Sequence, residues 1–286
     1  MDTERMATRR LPDMTPEQVE RLQDALLANA DALLVEAGEV LKRGLPALAR
    51  ALAILGMEES GKAIAIHRRR VRMPSLDEGT PFRSDELDDL WANHQKKLDL
   101  VYEFLRDEEY WFGVEPAHPD ENALMLGSVK RWAAKHDKLK QRGFYVDIDK
   151  LGNPLAPSDL RDDEAVGRII ELIHQIGWQL RQGEHIEGKR QDEQTSGVPA
   201  MEAEELSWLD EVEPDSDCGE DRGFFLDLRR SLERGTPGIP LRNETYRFNP
   251  PGADRAPFRN VGKSGYEALT RELLAMSEEL DGEAGT

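Results

Sequence analysis

Two pairs of charged side chains recur at helical spacing in the N-terminal half of the chain. Glu58 and Lys62 are four residues apart, and His94 and Lys97 are three apart, so each pair shares one face of a helix. A histidine held in a cleft by such groups can act as a general acid or base. A plainer interpretation stays open: Glu58 and Lys62 form a helix-surface ion pair, and His94 is hydrogen bonded to Glu58 or Glu59 and joins two helices.

The elements that carry these residues are predicted to be long helices. Thr15, Pro16 and Gln18 form a helix start, with Thr15 as the N-cap and Gln18 completing a capping box, and Gly44 stops this first helix. A second helix starts near Pro46 and is apolar on most of its surface, which places it at the centre of a bundle. Further helices are predicted from Ser84 to about Tyr110, from about Asn122 to Gln141, and from Ser158 to just before Gly183.

Helices joined by short loops, with almost no alternating strand pattern, indicate an all-α antiparallel bundle. From Glu187 to Glu220, twelve acidic residues face only Lys189 and Arg190, so this segment is predicted to be a disordered linker. A last helix opens at the capping box of Ser264 and Glu267. The predicted organisation is a flexible N-terminus (1–14), a helical domain (15–185), an acidic linker (186–220) and a tail with short helices (221–286).

Composition excludes several function classes. The 286 residues include 38 Lys and Arg against 57 Asp and Glu, a net charge of -19. Phosphate repels so acidic a chain at long range, so any contact with RNA must use a local basic patch. The single cysteine, Cys218, excludes an internal disulfide and a cysteine zinc site, and no apolar stretch has the length of a membrane span. We expect a cytoplasmic protein that uses no membrane, metal or cofactor.

Three motifs follow one another in a fixed order. Their residues are Glu58, Glu59, Gly61 and Lys62, then Trp91, His94 and Lys97, then Arg142, Tyr145, Val146 and Asp147. This pattern, over roughly Leu26 to Leu180, resembles the AbiV family of abortive-infection proteins, which act in phage defence. The resemblance implies a helical body of the HEPN type, a group with many metal-independent ribonucleases whose usual site is a dimeric cleft. The motif residues would then orient that cleft.

HEPN ribonucleases carry an arginine and a histidine four to six residues apart on a late helix, and two pairs have this spacing here. Arg131 and His136 lie in the most basic stretch of the chain, whereas His174, which follows Arg168, lies among isoleucines and is predicted to face the core or an interface. The histidine can take the proton of an RNA 2′-hydroxyl, and the arginine can offset charge on the pentavalent phosphate. Arg131 and His136 are the first catalytic candidates and His94 is the second. The alternative for this stretch is a solvated cationic face.

Two function classes remain. The preferred one is a phage-defence protein that forms a homodimer and, when triggered, cleaves cellular or phage RNA and shuts down translation. The competing one is a non-catalytic helical module that binds a phage protein or a translation component. In that case the Glu, Lys and His residues are structural, and alanine at His94 or His136 leaves defence intact unless the protein unfolds.

Overall fold

The computed structural model describes residues 10–110, 118–159, 163–202, 204–206, 219–256 and 258–284. The helices of this part of the chain are α1 (Pro16–Lys42), α2 (Pro46–Arg72), α3 (Asp85–Ala92), α4 (His94–Asp107), α5 (Pro119–Leu126), α6 (Val129–Phe144), α7 (Asp163–Ser196), α8 (Gly219–Arg234) and α9 (Glu267–Ala284). Strands β1 (Asp147–Ile148) and β2 (Pro154–Leu155) pair antiparallel. The predicted all-α class is confirmed. None of these helices has the combined length and apolarity that crossing a membrane requires.

The first two helices begin where their side-chain chemistry predicts. Thr15 accepts a hydrogen bond from the backbone N–H of Gln18, and the Gln18 side chain accepts one from the backbone N–H of Thr15, so the capping box is present. Pro46 occupies the first turn of α2. This helix packs against α1, α4, α6 and α7, and residues such as Ile54 and Met57 are fully buried. The predicted central position of the second helix is therefore confirmed.

The predicted third helix is in fact two helices. Asn93 has an extended backbone, and its side chain accepts hydrogen bonds from the N–H groups of Gln95 (2.9 Å) and Lys96 (3.3 Å). An asparagine that binds these donors starts a new helix. α3 therefore ends at Ala92, and His94 becomes the first residue of α4.

The predicted fourth helix is also divided. α5 ends at Leu126, and α6 starts at Val129 and continues through Phe144. The stretch that follows is the β1–β2 hairpin, in which Asp149 accepts hydrogen bonds from the backbone and the side-chain amide of Asn153 (2.8 and 2.9 Å). This agrees with the prediction of an extended, turn-rich segment.

α7 is longer than predicted, because it does not end before Gly183 but continues to Ser196. The C-terminal tail covers its last turns: Phe248 donates its backbone N–H to Oε1 of Gln191 (2.9 Å). The prediction of disorder is therefore wrong for residues 187–196. Residues 207–218 of the predicted linker lie outside the described part of the chain.

The C-terminal tail packs on the bundle. The predicted last helix is present as α9, which contacts α1 and α7. Arg271 of α9 forms an ion pair with Asp31 of α1, and residues Val198 and Thr236 form an isolated β-bridge. Of the predicted flexible N-terminus, residues 1–9 lie outside the described residues and residues 10–14 are not helical.

Candidate active site

The candidate site starts from a close approach of α2 to α4. A Cβ atom on Gly61 of α2 would lie 2.6 Å from the backbone carbonyl oxygen of Lys97 on α4. Only glycine permits this separation without displacing the α4 backbone. The glycine of the first motif therefore brings α2 against the first turn of α4, and Glu58 comes within reach of His94.

Glu58 is the centre of the site. Its side chain is only 6% exposed, and one carboxylate oxygen lies 2.6 Å from Nδ1 of His94. The other oxygen accepts a hydrogen bond from Nζ of Lys140 on α6. Both oxygens of the buried carboxylate are therefore bound, which offsets the cost of removing a charge from water. Through these contacts Glu58 joins α2, α4 and α6.

The imidazole of His94 is bound on one side and open on the other. Its side chain is 62% exposed although its partner is buried. Because an ionised carboxylate can only accept a hydrogen bond, Nδ1 of His94 carries the proton, and Nε2 keeps a lone pair when the ring is neutral. A carboxylate that fixes the tautomer and the orientation of a histidine is the arrangement used in general-base catalysis. Nε2 is therefore the ring nitrogen of His94 that no partner in the cluster occupies.

Lys62 pairs with a different glutamate from the one that its spacing predicts. Its Nζ lies 2.6 Å from Oε1 of Glu59, three residues earlier, so the predicted ion pair with Glu58 is wrong. The same Nζ lies 5.3 Å from the ring centre of Trp91, within the range of a cation–π contact. Trp91 thus holds the ammonium group beside the site.

Lys97 lies buried between these groups and is only 7% exposed. Burial lowers the pKa of its amine, the carboxylate of Glu58 acts in the opposite direction, and the charge of Lys62 lowers it again. With three lysines against two glutamates, the set is positively charged even when the histidine is neutral. We call these seven residues the Glu58 cluster: Glu58, Glu59, Lys62, Trp91, His94, Lys97 and Lys140.

The two residues of the first predicted catalytic pair lie on different faces of α6. His136 is buried, its Nδ1 donates to the backbone carbonyl of Trp132 (2.8 Å), and the two ring centres are 4.1 Å apart. Burial lowers the pKa of His136, which favours the neutral form of the ring. Arg131 is exposed and donates from Nε to Oγ of Ser128 (3.0 Å). Within the described chain, no hydrogen bond or ion pair joins Arg131 to His136.

The second predicted pair is also bound elsewhere. Arg168 pairs with Glu164 one turn earlier. His174 lies against α9, with Nε2 at 3.1 Å from Glu272 and Nδ1 at 2.8 Å from Arg271. The sequence predicts that His174 faces the core or an interface, and its contacts place it at the interface between α7 and α9.

The third motif lies where α6 leads into the hairpin. Arg142 forms a long ion pair with Asp147 (3.9 Å), whereas Tyr145 and Val146 are 66% and 63% exposed. No hydrogen bond or ion pair of the described residues connects this motif to the Glu58 cluster. The structure therefore brings the first two motifs together and leaves the third one apart.

Lys140 is the residue of the cluster that sequence reasoning missed, because it is one of several cations in the basic stretch. A signal for it exists in the spacing. Trp132, His136 and Lys140 follow one another at intervals of four residues and are all buried, whereas Arg131 is not. A lysine on the buried stripe of a helix requires an anionic partner, and this partner is Glu58.

No metal is indicated by the donor set. In the described part of the chain, no three side chains of His, Cys, Asp or Glu are placed to hold one ion. The ligating groups of the Glu58 cluster are instead bound to lysine and histidine.

The fold and this site define a helical bundle in which a buried carboxylate orients an exposed histidine. Residues 18–178 match the family model HEPN_AbiV, whose description is AbiV. The match covers more than half of the chain, and the protein belongs to the AbiV family. This membership associates it with HEPN-type abortive-infection defence. Comparison with curated proteins and with solved structures gives no match.

Proposed function

We propose that this protein is an abortive-infection nuclease that cleaves RNA without a metal ion and shuts down translation in infected cells, with His94 as its acid/base group. The observation that carries the proposal is the pairing of a buried Glu58 carboxylate with an exposed imidazole. Glu58 and Lys140 form a buried ion pair, and removing two such charges from water can cost more free energy than their attraction returns. A catalytic role accounts for both the burial of the carboxylate and the exposure of the ring.

The proposed reaction uses the open nitrogen of His94. Nε2 takes the proton of an RNA 2′-hydroxyl, the 2′-oxygen bonds to the adjacent phosphorus, and the bond from phosphorus to the 5′-oxygen breaks. Water protonates the departing 5′-oxygen. The products are a 2′,3′-cyclic phosphate and a 5′-hydroxyl. The ammonium groups of Lys62 and Lys97 offset the charge that develops on the phosphate oxygens.

In the proposed function, Arg131 contacts the RNA backbone. It is exposed on α6 together with Lys130, Lys135 and Lys138, which gives a local basic surface on an acidic protein. His136 keeps its place as a second acid/base candidate, although its burial and its bond to Trp132 favour a packing role. Alanine variants of His94 and His136 therefore separate the two candidates.

We also propose that the protein forms a homodimer. The hairpin that follows α6 carries apolar side chains in the open: Tyr145 is 66% exposed, Ile148 69% and Leu151 87%. A set of exposed apolar groups on one small element is typical of an interaction surface. Sedimentation of the wild type beside Ile148→Asp tests this, since a dimer formed through the hairpin dissociates in the variant.

The competing function is a non-catalytic module that binds a phage protein or a component of the translation machinery. The observation in its favour is that both oxygens of Glu58 already have partners, as a purely structural tie between helices requires. In this case the exposed hairpin is the binding surface, and the charged cluster only holds the bundle together.

The test is RNA cleavage by the purified protein in a chelating buffer. We expect cleavage of single-stranded RNA with EDTA present, products that end in a cyclic phosphate, and no cleavage of the same sequence with 2′-O-methyl groups. The matched cellular assay is phage plaquing with total RNA run on a gel after infection. Protection without cleavage of any RNA would exclude the nuclease and support the binding module.

A further inference from the structure

A polar cavity lies between the bundle and the C-terminal tail, away from the Glu58 cluster. Its volume is about 340 Å³, which is within the usual range for sites that hold a small molecule. The walls come from α1, α2 and α7 on one side and from the tail on the other. Arg70, Arg181 and Glu184 line the bundle side, and Arg259, Asn260 and Lys263 line the tail side.

The tail is closely fitted where it forms this cavity. Gly265 has a φ of +86°, and a Cβ atom there would lie 2.6 Å from the backbone oxygen of Asp24. The carbonyl oxygen of Gly265 accepts two hydrogen bonds from the guanidinium of Arg181, at 3.1 and 2.9 Å. Both observations require the tail to lie against α1 and α7. The cavity therefore exists because the tail is held in this position on the bundle.

The charges on the inner wall are already neutralised by one another. Arg181 is 2% exposed and pairs with Asp24 (2.6 Å) and Glu184 (3.0 Å). Arg70 pairs with the other oxygen of Glu184 (2.6 Å) and with Glu20 (3.2 Å). Burial alone would raise the pKa of Glu184, but the charges of Arg181 and Arg70 lower it to about 2. The charged groups of this wall are therefore already occupied by one another and are poorly placed to bind a charged ligand.

The tail side of the cavity carries two cationic side chains that are not neutralised by an acidic partner among the described residues. Arg259 forms no ion pair or side-chain hydrogen bond with the described residues, and Lys263 donates only to the neutral amide of Asn260 (3.0 Å). His185 lines the same cavity, and burial together with the charge of Arg259 lowers its pKa. Among the described residues that line this side, Asp254 is the acidic one, and its carboxylate accepts a hydrogen bond from the backbone N–H of Ala256 (2.8 Å). The donors that remain are therefore cationic.

We propose that this cavity binds a small phosphate monoester, with Arg259 and Lys263 holding the phosphate. A guanidinium and an ammonium group together provide the charged donors that phosphate oxygens bind best. The cavity has room for more than the phosphate, so the ligand is expected to carry an organic group. Because its walls come from both the bundle and the tail, the ligand stabilises the docked tail. This site is independent of the nuclease reaction proposed above.

Titration calorimetry on the full chain tests the proposal with three probes: inorganic phosphate, adenosine 5′-monophosphate and adenosine. We expect the monophosphate to bind and adenosine to bind at least tenfold more weakly. Tighter binding of the monophosphate than of inorganic phosphate supports a monoester as the ligand, whereas equally tight binding of the two overturns the monoester in favour of free phosphate. Failure of both phosphates to bind at millimolar concentration overturns the proposal.

Variants locate the site. Arg259→Gln and Lys263→Gln are each expected to weaken phosphate binding by about tenfold to a hundredfold, because each removes a charge-assisted hydrogen bond. Arg242→Gln is the matched control, since this tail arginine is 65% exposed and pairs with Asp77 outside the cavity. Phosphate binding that is equal in all three variants and the wild type would contradict the assignment.

Discussion

The central helix α2 carries two charged clusters that differ in their exposure to solvent. Glu58 and Arg70 are twelve residues apart, which is about 18 Å along a helix axis. At Glu58 the chain of contacts leads outward to His94, whose side chain is 62% exposed. At Arg70 it leads inward to Glu184 and then to Arg181, which is 2% exposed. The first cluster opens to solvent, and the C-terminal tail covers the second.

This difference shows which buried charges can take part in chemistry. In the Arg70 network each ion is neutralised within the protein, so its contribution is to hold α1, α2, α7 and the tail together. In the Glu58 cluster a buried carboxylate positions a group that solvent can reach. We therefore expect changes in the Arg70 network to affect stability most, and changes in the Glu58 cluster to affect the proposed RNA cleavage most.

The largest stability effect is expected from Arg181→Ala. The change removes the partner of Asp24 and one of the two arginines that neutralise Glu184, and breaking a buried ion pair typically costs about 3–5 kcal/mol. Urea unfolding of the variant measures this cost. Arg230→Ala on α8 is the control, because that side chain is 65% exposed. A loss below about 1 kcal/mol in Arg181→Ala would mean that the network is not buried as described.

A lower pH is expected to decrease the free energy of unfolding through His67. This residue is fully buried, its Nε2 lies 2.7 Å from the hydroxyl of Tyr110, and burial lowers its pKa from 6.5 to about 3. Between these two pH values the unfolded chain binds one proton more than the folded one. Stability therefore falls as pH falls below 6.5, by about 1.4 kcal/mol per pH unit. From pH 6.5 to 5 the loss amounts to about 2 kcal/mol.

The free energy of unfolding from urea titrations between pH 7 and 5 measures this slope. His67→Gln removes the titrating group, so its slope over this range should be smaller by the full amount, whatever its stability at pH 7. An unchanged slope in the variant would show that His67 does not titrate in this way.

Gly61→Ala tests the close approach that forms the Glu58 cluster. The added Cβ would meet the carbonyl oxygen of Lys97 at 2.6 Å, and such overpacking typically costs about 1–3 kcal/mol. The shift of α4 should also move His94 and lower the cleavage rate. Gly38→Ala on α1 is the matched control, since nothing lies within 4 Å of its Cβ, and it should stabilise the helix by about 0.5–1 kcal/mol. Equal stability of the two variants would contradict the packing described.

The smallest stability effect is expected from Lys62→Gln. Its ion pair with Glu59 is a helix pair at three residues and is worth about 0.5 kcal/mol. The proposed role in phosphate binding predicts a larger effect on RNA, with weaker binding and a salt dependence reduced by about one ion. Fluorescence anisotropy with labelled RNA at several salt concentrations measures both. An unaltered salt dependence would remove Lys62 from the RNA contact.

The sequence predicts the fold best where the signal is local. The starts of α1 and α2 follow from Thr15 and Pro46, whose capping and backbone preferences act within one turn. The break at Asn93 is missed because its effect depends on which backbone groups its side chain binds. The full length of α7 is missed because Gly183 resembles a helix end, whereas it faces the ring of Tyr110 at 2.5 Å from an added Cβ.

The candidate site is predicted in part, for the same reason. Spacing places His94 and Lys97 on one face of a helix, and the alternative in which His94 is hydrogen bonded to Glu58 agrees with the contact. The bond from Glu58 to Lys140 spans 82 positions and follows only from packing. The separation of Arg131 from His136 could be predicted, because five residues on a helix place two side chains about 140° apart.

The proposed role of His94 is tested most directly by the rate of RNA cleavage by His94→Ala beside His136→Ala, with thermal unfolding of both proteins measured in the same buffer. We expect His94→Ala to fold and to lose cleavage by a factor of about a hundred or more. His136→Ala should be less stable but keep its rate per folded molecule. Full cleavage by folded His94→Ala would exclude His94 as the acid/base group, and loss of cleavage in folded His136→Ala alone would move the acid/base role to α6.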